Sequence, residues 1–379
     1  MSGSFPIRAR MINCDEGQPR CSRCVSKNQD CNYAHLGSAY NPFQYQLAIV
    51  AGSSSGSSPT IAGSEQSPPK EVLAAVDKTP QANKQLYEHY ITAVSPILTG
   101  ASKEDGLHHW DSAIRKFSHS HDYLYFIVLA FAALHSAIGS DHASIRQTYL
   151  DVALNHQNSA LERFRPILSD INTDNCEPAL TCAGLIVACS FAVPLATSKT
   201  DSNDRSQLQQ LKRVVSLFDG VVKLYRMGWK TSPDSNISPF IRARVVALWS
   251  EEQPAPEAEA SLGYLAQHVA QLLEDVSKRD MYILTIEKMK RTHRRLMWTP
   301  NAVTVVLFWP GMVPTRYFTA LEAQEPIAMI ILAHWAVCLH HCSQFFWIGG
   351  WGKWTVTTVA ETLDEQWQRF LEWPKSQVA

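Results

Sequence analysis

Four cysteines near the N-terminus have the residue type and the spacing of a metal site. They follow the pattern Cys-x6-Cys-x2-Cys-x6-Cys at Cys14, Cys21, Cys24 and Cys31. The turn within a Cys-x2-Cys pair lets both sulfurs point inward, and a structural zinc takes four thiolate or imidazole ligands in a tetrahedron. The surrounding sequence is polar and offers little apolar material to bury free thiols. We therefore expect these four cysteines to bind zinc.

Basic residues accompany the cysteines. Residues 1–33 contain five basic and three acidic side chains, a net charge of +2. The candidate DNA-contacting residues are Arg8, Arg10, Arg20, Arg23 and Lys27. The whole chain has 34 Lys and Arg against 35 Asp and Glu, so its net charge of −1 does not draw it towards nucleic acid. Any DNA contact is therefore expected to be local to this region.

A second candidate site lies near the C-terminus, where large aromatic residues surround a glycine-rich bend. These candidate ligand-binding residues are Phe345, Phe346, Trp347 and Trp351. Large rings beside a flexible bend suit a pocket for an apolar ligand, but aromatic residues at helical spacing more often fill the core. The sequence leaves both interpretations open.

Histidine and cysteine alternate in the segment just before that bend. His334, Cys338, His341 and Cys342 are spaced i, i+4, i+7 and i+8, which places them on one face of a helix. Ligands along such a face span about 12 Å, too far to enclose one ion. We expect a buried face with hydrogen-bonded histidines. The alternative is that Cys338 and a neighbour share a metal with a second helix.

Composition divides the 379 residues into three regions. We predict a truncated zinc-cluster module at 1–34, a flexible linker rich in Ser, Gly and Pro at 35–81, and a helical regulatory domain at 82–379. The odd number of cysteines, nine, and an N-terminus without the features of a secretory signal indicate a reducing intracellular compartment.

The third region is predicted to be all-α, with about eight to ten helices. Apolar residues recur there at helical spacing, and prolines and glycines fall at the ends of the runs. The predicted runs are 86–98, 110–138, 149–168, 179–193, 208–227, 241–249, 262–276, 281–298 and 328–347. The most apolar stretches, 179–196 and 327–347, are expected to be buried core helices and not membrane spans.

The cysteine pattern resembles the second half of the fungal binuclear zinc-cluster family, in which six cysteines hold two zincs. By this resemblance Cys14 corresponds to the third cysteine of the family, and Cys21, Cys24 and Cys31 correspond to the fourth, fifth and sixth. The first half does not match. Ser4 and Ile7 occupy the places of the first two cysteines.

Further departures affect the DNA-reading part of the pattern. Met11 and Asn13 stand where the family usually has Lys or Arg, and a methionine donates no hydrogen bond to a guanine edge. Three explanations compete: a mispredicted start exon that hides the first half, a regulator that has lost DNA binding, or a rearranged single-zinc module. We favour the mispredicted start exon, because the second half of the cysteine pattern matches the family in full.

Residues 85–374 resemble the C-terminal regulatory domain of fungal zinc-cluster factors, most closely the type found in sterol-uptake regulators. Three earlier stretches contribute to this similarity: LYEHYITAVSPIL, YFIVLAFAALHSA and CEPALTCAGLIVACSFA. The end of the chain contributes most, with FWPGMVPTRYFTAL, EPIAMIILAHWAVCLHHCSQFFWIGGWGKW and LDEQWQRFLEWP. The resemblance implies a helical domain whose apolar pocket binds a sterol and holds the factor inactive.

Together these features predict a nuclear fungal transcription regulator, acting on metabolic or secondary-metabolite cluster genes, and not an enzyme. The sequence has no Gly-rich phosphate loop and no HExxH motif. The expected cofactor is zinc. The expected partners are DNA with G·C-rich half-sites and an apolar small molecule such as a sterol; we expect no membrane, and a homodimer is left open. The alternative is a helical lipid-sensing or protein-interaction module without DNA binding.

Overall fold

Helices account for almost all of the chain that the structure describes. The computed structural model describes residues 79–99, 108–197, 254–296 and 302–379, with eight further positions between 209 and 224. No strand occurs in these ranges, which confirms the all-α prediction there. The predicted zinc-cluster module and nearly all of the predicted linker lie outside the described residues.

The first helix, α1, changes its hydrogen-bond pattern part-way. It begins as Pro80–His89, passes through the π-helical turn Tyr90–Val94 and ends as Ser95–Thr99. Thr79 caps its start, because the Thr79 hydroxyl accepts a 3.2 Å hydrogen bond from the backbone N–H of Ala82. The π-helical turn lies just before Pro96, whose missing N–H interrupts the α-helical ladder.

The run predicted at 110–138 is two helices, α2 (His108–Phe117) and α3 (Asp122–Gly139). The prediction of a single long helix over 110–138 was therefore wrong. The intervening turn has the sequence Ser-His-Ser-His, and the Ser120 hydroxyl donates to the Phe117 carbonyl over 3.1 Å. A serine that bonds the backbone in this way competes with the helical ladder, and Asp122 then favours the positive end of a new helix.

Two long helices, α4 (Ala143–Ile167) and α5 (Cys176–Thr197), complete the first half of the fold. The helix α3 packs most extensively along α4, and α5 packs against α2, α3 and α4. By length and composition α3 and α5 are apolar enough to cross a membrane, with mean hydropathies of 1.5 and 2.1. However, 83% of the most apolar part of α5 is buried inside the fold, as predicted for a core helix.

The structure describes eight helices between residues 254 and 379. They are α6 (Pro256–Leu272), α7 (Val276–Leu296), α8 (Ala302–Met312), α9 (Thr315–Glu322), α10 (Pro326–His340), α11 (Trp351–Thr362), α12 (Glu365–Gln368) and α13 (Glu372–Val378). The buried helix α10 packs against α7, α8, α9, α11 and α13. Among the thirteen described helices, ten have ten or more residues, in keeping with the predicted number.

Three predicted runs need comment. The run at 208–227 is helical at its eight described positions, and seven of these are buried. The run at 241–249 lies outside the described residues. The run at 328–347 was too long, because α10 ends at His340 and residues 341–350 form successive turns.

The turns at 341–350 join the two halves of the fold. Phe346 packs on Phe131 of α3 with ring centroids 4.9 Å apart, and Trp347 packs on Phe191 of α5 at 6.1 Å. The aromatic residues that the sequence singled out therefore lie at the contact between the early and the late helices.

Candidate functional site

The predicted zinc and DNA-binding residues lie outside the part of the chain that the structure describes. This applies to Cys14, Cys21, Cys24 and Cys31 and to Arg8, Arg10, Arg20, Arg23 and Lys27. Their roles stay predictions.

The candidate ligand-binding residues, Phe345, Phe346, Trp347 and Trp351, are brought together by the structure; we call them the aromatic cluster. The turn after α10 closes when the backbone N–H groups of Ile348 and Gly349 both donate to the Phe345 carbonyl, over 2.8 and 2.9 Å. Gly349 has a φ of 46°, in the left-handed region that a residue without a Cβ adopts most readily. This residue lets the chain reverse and begin α11.

Close helix packing then holds the far side of the cluster. A Cβ placed on Gly352 would lie 2.5 Å from the backbone nitrogen of His340 and 2.6 Å from the carbonyl oxygen of Ala336. Only a glycine permits this approach of α11 to α10. The glycines of the predicted bend therefore have two separate roles: Gly349 forms the turn, and Gly352 allows the close contact between α11 and α10.

Most of the aromatic cluster is buried. Trp347 and Trp351 are 0% and 3% exposed, whereas Phe346 is half-buried. The ring of Trp351 meets that of Phe191 edge-on with centroids 5.8 Å apart, and Phe345 lies 6.1 Å from Trp347. In this structure the cluster is packed as core, consistent with one of the two interpretations left open by the sequence.

The two indoles of the cluster differ in their hydrogen bonding. The Trp351 N–H donates to the backbone carbonyl of Phe191 over 2.9 Å. The Trp347 N–H is buried without a hydrogen-bond partner among the described residues. Buried donors are usually paired, so an unpaired indole N–H in a predicted ligand site is notable.

A groove of about 330 Å³ lies elsewhere, between the α6–α7 connection, the start of α10 and α12. Its lining residues are Leu272, Leu273, Lys278, Glu325, Pro326, Ile327 and Trp367. Lys278 pairs with Glu325 over 2.8 Å, and the Tyr282 hydroxyl donates to the same carboxylate over 2.5 Å. The sequence did not predict this groove, because its walls come from three distant segments.

The buried face of α10 is hydrogen-bonded as expected. His334 is fully buried; its Nδ1 lies 2.9 Å from the Ile330 carbonyl and its Nε2 lies 2.9 Å from the Ser261 hydroxyl. A carbonyl only accepts, so Nδ1 carries the proton and Nε2 accepts from Ser261. Burial lowers the pKa of His334 to about 4, which keeps this ring neutral.

The partner helix in the alternative interpretation is α7. Cys338 lies 3.6 Å from both ring nitrogens of His293, a buried residue of α7. Burial raises the pKa of the Cys338 thiol well above its usual value and that of Cys342 to about 12, so both thiols stay protonated at neutral pH. Within the described ranges no group of three or more His, Cys, Asp or Glu side chains could hold an ion.

A second histidine pair was not singled out from the sequence. His89 of α1 and His135 of α3 face each other with Nε2 of His89 3.1 Å from Nδ1 of His135. The hydroxyl of Ser136 lies 3.1 Å from the same His89 nitrogen. Both rings are half-buried, and burial lowers the pKa of each. Histidines 46 residues apart give no local signal of such a contact.

Comparison with known proteins bears on both ends of the chain. Residues 8–37 match the fungal Zn(2)-Cys(6) binuclear cluster domain, and residues 85–243 match the fungal specific transcription factor domain. The chain is a fungal zinc-cluster transcription factor. No curated protein matches it.

The two matched domains define what this zinc-cluster factor does at a coarse level. It is a transcription regulator, and its cluster domain binds zinc and supports binding to DNA. Families of this kind are normally not enzymes and are typically nuclear. Neither match favours the alternative of a module without DNA binding. The match to the regulatory domain ends at residue 243, so the predicted similarity of later residues to sterol regulators stays a prediction.

Proposed function

We propose that this factor acts in the nucleus, and that the module written in residues 1–34, which lacks two of the six cysteines, binds DNA more weakly than a six-cysteine cluster. In the family pattern the first and fourth cysteines bridge both metals. Cys14 and Cys21 would then remain for one zinc, and Cys21, Cys24 and Cys31 for the other. Neither set has the four ligands that a structural zinc requires. The four cysteines together can complete one tetrahedron, so we expect at most one zinc in this module.

Restoring the missing ligands tests this proposal. We expect S4C/I7C to raise the zinc content of the module from one ion to two and to strengthen a gel shift on a duplex with CGG half-sites. Restoring a lysine as well, in S4C/I7C/M11K, should strengthen the shift further because lysine donates to guanine. The matched control is S2C, which adds one cysteine outside the pattern. Two zincs in the module of the unaltered chain would refute the proposal.

We further propose that the helical domain responds to an apolar metabolite, such as a sterol, that enters the aromatic cluster. The observation that carries this proposal is the buried and unpaired N–H of Trp347. A ligand oxygen would provide the acceptor that this donor lacks, while neighbouring rings would cover the apolar body. Because the cluster is closely packed, entry requires Phe345 and Phe346 to move, and the turn at 341–350 gives them a segment that is not held in a helix.

Ligand binding can be measured with a panel of sterols by thermal shift and equilibrium dialysis. W347F keeps an aromatic ring and removes the donor, so it should weaken binding about tenfold, the effect of roughly 1.4 kcal/mol for one hydrogen bond. The control is W309F, because Trp309 is also fully buried with an unpaired N–H but lies in α8. Equal binding by the W347F variant and the unaltered chain would overturn this role of Trp347.

The regulated genes are proposed to be metabolic or secondary-metabolite cluster genes. Comparing transcripts of a strain that lacks this factor with those of its parent tests that assignment. Gel shifts with mixed long and short versions of the chain also show whether DNA is bound by a homodimer, which would give a third band of intermediate mobility.

A further inference from the structure

The facing nitrogens of the histidines of α1 and α3 have nearly the separation of two ligands of one metal ion. Two nitrogens that each lie 2.0–2.1 Å from a tetrahedral zinc are about 3.3 Å apart. The separation of His89 Nε2 and His135 Nδ1 is 3.1 Å. A shift of a few tenths of an ångström, together with a rotation of the rings that makes their lone pairs converge, would bring both nitrogens to the ligand positions of one ion.

We propose that His89 and His135 form a binding site for a divalent transition metal, with zinc as the expected ion. Neutral imidazole is the commonest side-chain ligand for such ions, and two rings from different helices can converge on one ion without strain in either helix. The two histidines are distant in sequence from the cysteines at 14–31.

The chemistry of the pair permits this role. A neutral imidazole carries its proton on either ring nitrogen. In the hydrogen-bonded pair one of the facing nitrogens is protonated; metal binding requires the proton on the far nitrogen of each ring, so that both facing lone pairs point to the ion. The exchange moves a proton within one ring and leaves both rings neutral. Metal binding therefore requires neither a charged imidazole nor an additional proton donor or acceptor at this half-buried position.

The surroundings supply the remaining coordination. Both rings are half-buried, so water can reach the ion and fill the two positions that the protein leaves open. The Ser136 hydroxyl, 3.1 Å from His89 Nε2, is placed to hydrogen-bond a metal-bound water. With two protein ligands, fewer than in structural zinc sites, binding is expected in the micromolar range of free zinc.

The pair also contacts the aromatic cluster. The ring of His135 meets the ring of Phe346 edge-on, with centroids 4.8 Å apart. An ion held by His135 would fix the orientation of this ring and hence the face on which Phe346 packs. Metal binding would therefore restrain the turn at 341–350.

The test compares hydrogen bonding with metal binding. In H89Q/H135N the side-chain amides occupy the places of Nε2 and Nδ1, so they can keep a hydrogen bond between α1 and α3 but lack imidazole lone pairs. At micromolar free zinc, set with a chelator buffer, the unaltered chain should bind one zinc per chain more than this variant. Its thermal midpoint should rise with zinc by roughly 3–6 °C, and that of the variant should not. The matched control is H268Q, a half-buried histidine of α6, which should retain both effects.

A second variant distinguishes zinc bound by the cysteine module from zinc bound by the histidine pair. C21S/C24S removes two thiolates and should lose the tightly bound zinc while keeping the micromolar, histidine-dependent ion. Equal metal content and equal zinc-dependent shifts in the unaltered chain and H89Q/H135N would overturn the proposal and leave the pair as a hydrogen bond between helices. Loss of the micromolar ion in C21S/C24S alone would also overturn it, because the ion would then belong to the cysteines.

Discussion

Trp351 donates its indole N–H to the backbone carbonyl of Phe191 over 2.9 Å, although the two residues are 160 positions apart. The same indole packs edge-on against the Phe191 ring. One side chain therefore connects α11 to α5 through a polar and an apolar contact at once. This contact belongs to the region that joins the early and the late helices.

Trp351→Phe should lower the free energy of unfolding by about 1–3 kcal/mol. The change removes one buried hydrogen bond and part of a buried ring, which leaves a small void. Urea unfolding at neutral pH measures the effect from the shift in midpoint. Trp354→Phe is the matched control, because Trp354 is half-buried and should lose less than about 1 kcal/mol. An equal loss in both variants would show that the bond to Phe191 contributes little.

Gly184 of α5 leaves room for the ring of Trp110. A Cβ on Gly184 would overlap Cζ2 of that indole, and Trp110 is only 2% exposed, so the ring cannot swing into solvent. Gly184→Ala should therefore destabilise the protein by about 1–3 kcal/mol through overpacking.

Gly263→Ala provides the opposite comparison. Gly263 also lies inside a helix, α6, and a Cβ there would meet nothing within 4 Å. Removing the extra freedom of glycine should stabilise the protein by roughly 0.5–1 kcal/mol. Urea unfolding of the two variants should give changes of opposite sign. A loss of stability in Gly263→Ala would contradict the expectation.

Gln324, two residues after the end of α9, has a backbone conformation that suits glycine better. Its φ is 56°, and the backbone N–H of Glu325 donates to the Ala320 carbonyl over 3.0 Å to close the helix. A left-handed residue with a Cβ costs roughly 1–2 kcal/mol, partly offset by the entropy that glycine loses on folding. Gln324→Gly should therefore raise the thermal midpoint, and Gln324→Val should lower it because a β-branched residue fits this region poorly.

Acid should unfold the protein through two buried histidines. Burial lowers the pKa of His293 to about 3 and that of His334 to about 4, both below the ordinary value of 6.5. Between these values and pH 6.5 the two rings therefore bind protons in the unfolded chain but not in the folded chain. Stability from these rings is fully present above about pH 6.5 and is lost progressively as the pH falls towards 4 and then 3.

The loss should approach about 1.4 kcal/mol per pH unit for each histidine within that window. Urea unfolding at pH 7, 6 and 5 measures the slope. His293→Gln should flatten it even if this variant is less stable at pH 7, because one of the titrating groups is gone. An unchanged slope in His293→Gln would contradict this account of acid unfolding.

The sequence by itself determined the local features of this factor. The spacing of Cys14, Cys21, Cys24 and Cys31 indicated the zinc-cluster family, which the match at residues 8–37 confirmed. The period of apolar residues predicted the helices, because that period records which face of a segment avoids water. The same pattern missed the break between α2 and α3 and overran the end of α10, since polar turn residues weaken a run without marking where it stops.

Only the tertiary structure decided which buried faces meet. The sequence placed His334 and Cys338 on one face of a helix. It could not show that Ser261 hydrogen-bonds His334 or that His293 lies beside Cys338. It singled out Trp347 and Trp351 equally, although one indole is paired with Phe191 and the other is not. The physical reason is that helical periodicity shows which face of a helix is buried. It does not show which other helix packs against that face. Contacts between residues such as His89 and His135 arise only when distant segments pack together.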